Sequence, residues 1–170
     1  MATQSASEVL PREEWPEPPP RTHAGDLLTD LIIGTFQLDG RLMEIARRLG
    51  RAGGITATEW RVLCGVLDNP RSVAEIARLM GITRQGVQRV ADQLVDQGLA
   101  EYRPNPSHRR AKLFACTQAG QWVIRQIALA QRPWADQIGA RIGAAELHET
   151  LASMRRIVAT LEAEEDAEAS

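Results

Sequence analysis

Cysteine, histidine and aromatic residues are all scarce in this 170-residue sequence. The two cysteines, Cys64 and Cys116, lie far apart, so no disulfide framework is expected. None of His23, His108 and His148 falls within four residues of a cysteine or another histidine, which removes zinc-type spacing. A phosphate-binding glycine loop and a nucleophile elbow are also missing. The expectation is a non-enzyme with no catalytic residue, no cofactor and no metal. Every apolar run is broken well before the roughly 18 residues that suggest a membrane span. The first residues, M-A-T-Q-S-A-S-E-V-L, lack the basic start and apolar centre of a secretory signal. A cytoplasmic chain with no membrane partner is expected.

What is present is ordinary for a folded chain, with 44% apolar and 25% charged residues. The net charge of −2 hides an uneven distribution. Between 71 and 112, eight basic residues (Arg71, Arg78, Arg84, Arg89, Arg103, Arg109, Arg110, Lys112) face four acidic ones (Glu75, Asp92, Asp96, Glu101). A basic block inside an acidic chain is an electrostatic footprint for nucleic acid. Five of the nine prolines fall at 11, 16, 18, 19 and 20, among glutamates, and predict an extended arm that Trp15 would pin. At the other end, E-A-E-E-D-A-E-A-S is acidic, lacks apolar spacing and should fray.

Between these ends the apolar period is mostly helical. Leu27, Leu28, Leu31, Ile32, Leu38, Leu42, Ile45 and Leu49 predict a helix over 25–50, closed by Gly50, Gly53 and Gly54. T-A-T-E at 56–59 reads as a capping box, with Trp60, Leu63, Cys64 and Leu67 as the inner stripe that follows. Ser72 caps a helix facing inward with Val73, Ile76, Ala77 and Met80. Gly81-Ile82-Thr83 turns the chain, and Thr83 caps a longer helix with Val87, Val90 and Leu94 inside. L-A-E-Y-R and R-A-K-L-F-A-C then read as two strands joined by the basic P-N-P-S-H-R loop, a β-hairpin. Thr117 caps the next helix, which Pro133 should kink or divide, and a last helix carries Leu147, Leu151, Met154, Val158 and Leu161.

The expected fold class is therefore mainly α with a small β-hairpin wing, a winged helix-turn-helix between long terminal helices. Its second short helix suits a major groove, with Thr83, Arg84, Gln85, Gln88 and Arg89 on the outer face. Arg bonds guanine and Gln bonds adenine in two-point contacts, while arginines and helix N-termini take phosphates.

The run from S-V-A-E-I-A-R-L-M-G-I-T-R-Q-G-V-Q-R-V to P-N-P-S-H-R-R-A-K-L-F-A-C-T-Q-A-G resembles the MarR (multiple antibiotic resistance regulator) family of bacterial transcription regulators. T-A-T-E-W-R-V-L, just before it, resembles the family's second helix. The resemblance implies a homodimer that binds an inverted repeat in double-stranded DNA, most often as a repressor released by a small ligand. It implies a Pro-rich arm at 1–24, a dimerisation helix at 25–53 and a DNA-binding domain at 54–116. Dimerisation helices at 117–162 and an acidic tail at 163–170 complete the division. DNA contacts are expected from Ser72, Thr83, Arg84, Gln85, Gln88, Arg89, Arg109 and Arg110. In the family's wing an Asp braces a minor-groove Arg two residues on; here His108 stands where the Asp would, and Arg110 matches the Arg. Leu-Thr at the end of the wing is Cys116-Thr117.

Family members bind small aromatic or phenolic anions, for which Trp60 and Arg61 would supply a stacking face and a charge. Thiol oxidation switches some members, which makes Cys64, on an apolar stripe, and Cys116, at a strand end, the residues to inspect. The alternative from another class is a winged-helix protein-interaction module without specific DNA binding. Exposed Arg and Gln on the recognition helix oppose it, because such a surface favours apolar or aromatic anchors.

Overall fold

The computed structural model describes residues 11–108 and 111–168, and the chain divides into two compact units, Met1–Arg41 and Leu42–Ser170. In the first, a 3-10 turn at Arg12–Glu14 precedes extended chain, and Trp15 is 57% exposed rather than packed away. Helix α1 covers His23–Gly50. Its start is held by Thr22, whose Oγ1 accepts from the Gly25 amide at 3.0 Å, as a cap residue does. Leu27, Leu28, Leu31, Ile32, Phe36 and Leu38 all remain exposed on it.

The second unit holds the core. After the end of α1 come α2 (Ala57–Cys64), β1 (Arg71–Ser72), α3 (Val73–Met80) and α4 (Arg84–Asp96). β2 (Ala100–Arg103), β3 (Leu113–Cys116), α5 (Gln118–Ile142) and α6 (Ala144–Glu168) follow. Val62, Leu63, Ile76, Val87, Leu94, Phe114 and Ile127 are fully enclosed, so one apolar cluster joins α2, α3, α4, the sheet and α5. Among the described residues no helix is long and apolar enough to cross a membrane.

Four features depart from the sequence reading. The wing is a three-stranded antiparallel sheet of order β1-β3-β2, not a hairpin alone; Arg71 pairs with Phe114 and Tyr102 pairs with Phe114 from the other side. Two residues are too short to show a strand's period, so β1 is silent in the sequence. α2 buries Val62 and Leu63, and Val66 is buried just past its end; Cys64 is exposed, and so is Leu67, because the helix stops at Cys64 and the wheel that carried Leu67 inward ends there. α5 is not divided at Pro133 but continues as one helix from Gln118 to Ile142. α6 extends into the acidic segment as far as Glu168, where alanine and glutamate are strong helix formers.

The capping box at Thr56 is present as expected: Glu59 accepts from the Thr56 amide at 2.7 Å and its own amide donates to Thr56 Oγ1 at 3.2 Å. Gln97, just past α4, also donates to Glu59 Oε1 at 2.8 Å. Burial opposes the charge of Glu59, but the Thr56 amide, Gln97 and the Thr56 hydroxyl outweigh it and hold its carboxyl below the usual 4.5. A depressed carboxyl stabilises the fold above its unfolded value, and the contribution is lost as pH falls through the lower folded value. Glu59→Gln is thus expected to cost about 1 kcal/mol at pH 7 and progressively less below pH 4.5. Urea melts of both proteins across that range check this, and an equal cost at pH 7 and pH 3 would remove the charge from the explanation.

Candidate nucleic-acid interface

Two caps build the helix pair. Ser72 Oγ accepts from the Glu75 amide, and Gly81, at φ 60°, ends α3 in the left-handed region that favours glycine. Thr83 Oγ1 then accepts from the Gly86 amide at 3.1 Å and starts α4. With Val87, Val90, Ala91 and Leu94 buried, the opposite face of α4 points outward. Thr83, Arg84, Gln85, Gln88 and Arg89 are all exposed there, so the structure brings the five together on one surface.

Across from that face lies the sheet. A cleft of about 400 Å³ separates them, with the first residues of α3 (Ser72, Val73, Ala74) on one side, Arg84, Gln88 and Asp92 on another, and Tyr102, Ala111 and Lys112 closing it. Lys112 Nζ lies 5.9 Å from the Tyr102 ring centroid, in reach of a cation–π attraction. The Tyr102 ring meets buried Phe114 edge-on at 5.8 Å.

Several side chains carry internal bonds that the sequence did not reveal. Gln88 Nε2 donates to Asp92 Oδ1 and to Tyr102 Oη, both at 2.8 Å, and Tyr102 Oη donates to Asp92 Oδ1 at 2.7 Å. Burial first, then the hydrogen bond and charge of Asp92, push the Tyr102 phenol up to about 12, so it stays a donor at neutral pH. Asp92 and Tyr102 were missed; the signals were the i,i+4 spacing of Gln88 and Asp92, and the strand parity that turns Tyr102 inward with Ala100.

Ser72 sits beside the cleft, but its amide and hydroxyl donate to Glu75 Oε2 at 2.7 and 2.6 Å, which satisfies the donors a phosphate would have used. Those two bonds hold the Glu75 carboxyl below the usual 4.5. Arg71 donates to the Gly65 and Asn69 carbonyls, and Arg103 pairs with Glu101 at 2.7 Å, so two charges of the basic block serve internal contacts. His108 is exposed, and its carbonyl accepts from the Ala111 amide at 3.1 Å across the loop tip. Arg109 and Arg110 lie outside the described residues.

Trp60 packs half-buried against the core. Arg61 donates to the Met80 carbonyl at 2.5 Å and to Met43 Sδ at 4.0 Å, tying α2 to the C-terminal end of α3. That contact satisfies an open helix carbonyl at the end of α3. Cys64 keeps exposed surface despite its place on the apolar stripe, and Cys116 is half-buried. Desolvation raises both thiols above the usual 9.0, in Cys64 against a hydrogen bond with Trp60, and a raised thiol is a poor thiolate. Among the described residues no cluster of three or more His, Cys, Asp or Glu could hold a metal ion.

Comparison with known proteins places this geometry. The MarR family model matches residues 53–111. Protein Rv2011c of Mycobacterium tuberculosis is 36% identical over 139 residues, spanning 82% of this chain and 97% of its own. The transcriptional activatory protein BadR of Rhodopseudomonas palustris is 27% identical over 108 residues, 61% of each chain. The Staphylococcus aureus MarR structure in complex with salicylate and kanamycin superposes with a TM-score of 0.66 at 16% identity, covering 81% of this chain and 94% of that one.

Proposed function

This chain belongs to the MarR family of transcription regulators, and we propose that it works as a homodimer bound to an inverted repeat in double-stranded DNA, repressing from that site. The observation that carries the reading is the exposed row Arg84, Gln85, Gln88 and Arg89 on α4, of which Arg84 and Gln88 line one cleft with Tyr102 and Lys112 of the wing. In this reading residues 54–116 form the DNA-binding domain. Thr83 and Ser72 set the two helix starts, and Arg84, Gln85, Gln88 and Arg89 meet base edges. Arg109 and Arg110 are assigned to the wing's minor-groove contact. Fluorescence polarisation on duplexes from the region beside its own gene tests it. Equal affinity for operator and scrambled duplex at every salt concentration would sink sequence-specific binding and favour an interaction module. A reporter fused to the bound promoter separates repression from activation, the role in BadR's name.

The dimer is proposed on the exposed apolar side chains of the terminal helices. Leu27, Leu31 and Leu38 on α1, and Leu151, Met154, Val158 and Leu161 on α6, are each 41% or more exposed, and apolar stripes of this kind mark an interface. Sedimentation at micromolar concentration is expected to show a dimer, and Leu151→Asp with Val158→Asp is expected to show a monomer. A monomeric unaltered protein overturns the proposal. Half-sites are then about 34–36 Å apart, one helical turn.

Release by a small aromatic or phenolic anion is the remaining element, supported by the salicylate held in the S. aureus protein. Salicylate titrated into the protein–operator complex is the probe. Because Arg61 is engaged with Met80, Arg61→Ala is expected to act through stability rather than through ligand affinity.

A further inference from the structure

The Gln88–Asp92–Tyr102 triangle has a consequence for base recognition that depends on the DNA-binding reading above. A carboxylate oxygen can only accept a hydrogen bond, so Asp92 Oδ1 must receive from both neighbours. That orients the Tyr102 hydroxyl hydrogen toward Asp92 and leaves the phenol oxygen to accept from Gln88. The same constraint orients the amide of Gln88: its nitrogen faces Asp92 and Tyr102, and its two hydrogens divide between two oxygens at 2.8 Å each. The carbonyl oxygen Oε1 is left for a partner, on an exposed side chain of the recognition face.

A glutamine that reads adenine in two-point fashion needs both ends: the carbonyl accepts from the N6 amine and the amide donates to N7. Gln88 has only the accepting end to offer. An exocyclic amine satisfies that end equally well on adenine (N6) or cytosine (N4). We propose that Asp92 and Tyr102 are positioning residues that make Gln88 an acceptor-only reader, so that each half-site contains one position where adenine and cytosine are both accepted.

The test uses the full-length protein and its operator. Gln88→Ala, compared with the unaltered protein on single-base operator variants, first locates the position that Gln88 reads. Four duplexes carrying A, C, G or T there are then titrated. Adenine and cytosine are expected within about threefold of each other, and about tenfold better than the other two, the scale of one net hydrogen bond. Tyr102→Phe keeps the ring on Phe114 but removes one acceptor, freeing an amide hydrogen for N7. Adenine should then gain about tenfold over cytosine, and 7-deazaadenine should erase that gain. On the unaltered protein 7-deazaadenine should change nothing. Asp92→Ala, on the exposed face of α4, frees the amide from the other side and should give the same adenine gain even where Tyr102→Phe disturbs the wing.

A merely structural role for the triangle would weaken all four duplexes equally, and that result overturns the proposal. So does an unaltered protein that already prefers adenine tenfold and loses the preference on 7-deazaadenine. A protein that binds no operator defeats the DNA-binding reading itself, whereas normal operator binding with Gln88→Ala silent at every position defeats this inference alone.

Discussion

Operator affinity is expected to fall about 10³-fold between 50 mM and 200 mM salt, because binding releases counterions from the phosphates that the protein neutralises. Arg84 and Lys112 line the cleft and Arg89 is exposed on the same helix, so a dimer brings about six such charges from the described residues. Arg103 is paired with Glu101, so it should add little to the slope, whereas Arg109 and Arg110, assigned to the wing contact, would add to it. Lys112→Ala is expected to flatten the slope by about two units per dimer and weaken all sequences alike. Arg84→Ala should instead cost about 1–3 kcal/mol and relax preference at one position in each half-site. Titrations at five salt concentrations on operator and scrambled duplex separate the two patterns, and an operator affinity flat across that range would defeat the reading.

The wing adds a contrast. Arg110 is assigned to the minor groove, where negative potential attracts arginine but the base code is degenerate. Arg110→Ala should weaken many sequences together with little change in consensus. His108 takes the place of the family's bracing aspartate, and an imidazole carries no negative charge with which to hold an arginine as a carboxylate does. His108→Asp should therefore tighten operator binding, and an unchanged affinity would show that Arg110 is held by something else.

What could be seen in the sequence acts over a few residues. Thr56, Ser72, Thr83 and Thr117 each cap a helix through an amide three positions on, so composition and spacing expose them together. The outward face of α4 follows from the same period that buries Val87, Val90 and Leu94. What stayed hidden joins residues far apart. β1 acquires its strand character only from β3, through the pairing of Arg71 with Phe114. Gln88 reaches Tyr102 across 14 positions and Arg61 reaches Met80 across 19, and no local pattern announces either. The basic block was legible as a sum but not in its members, because backbone carbonyls and Glu101 engage two of them. The outward face of α4 was therefore readable, while the partners of Gln88 and Ser72 were not.

Gly120→Ala is expected to destabilise the protein by about 3 kcal/mol, against the helix-propensity gain of about 1 kcal/mol that an α-helical glycine normally returns on this change. Gly120 is in the first turn of α5, where its amide donates to the Thr117 cap at 3.2 Å. A Cβ there would stand 2.1 Å from the Leu99 carbonyl oxygen and 2.6 Å from Cys116 Sγ. The first of these is backbone, so no side-chain rotation relieves it. The same carbonyl accepts from the Thr117 amide at 3.1 Å, and Thr117 Oγ1 donates to the Gly98 carbonyl at 2.8 Å. Moving α5 off Leu99 therefore breaks its own docking onto the turn between α4 and β2, where Gly98 holds φ 73°. Recognition helix and wing share that turn, so operator affinity should fall along with stability. Urea denaturation measures the first effect, with Gln121→Ala, on the exposed side of the same helix, as a control expected within about 0.5 kcal/mol. A Gly120→Ala protein as stable as the unaltered one, or more so, would show that α5 can lift from Leu99 without loss, and that this contact does not hold the wing to the helices.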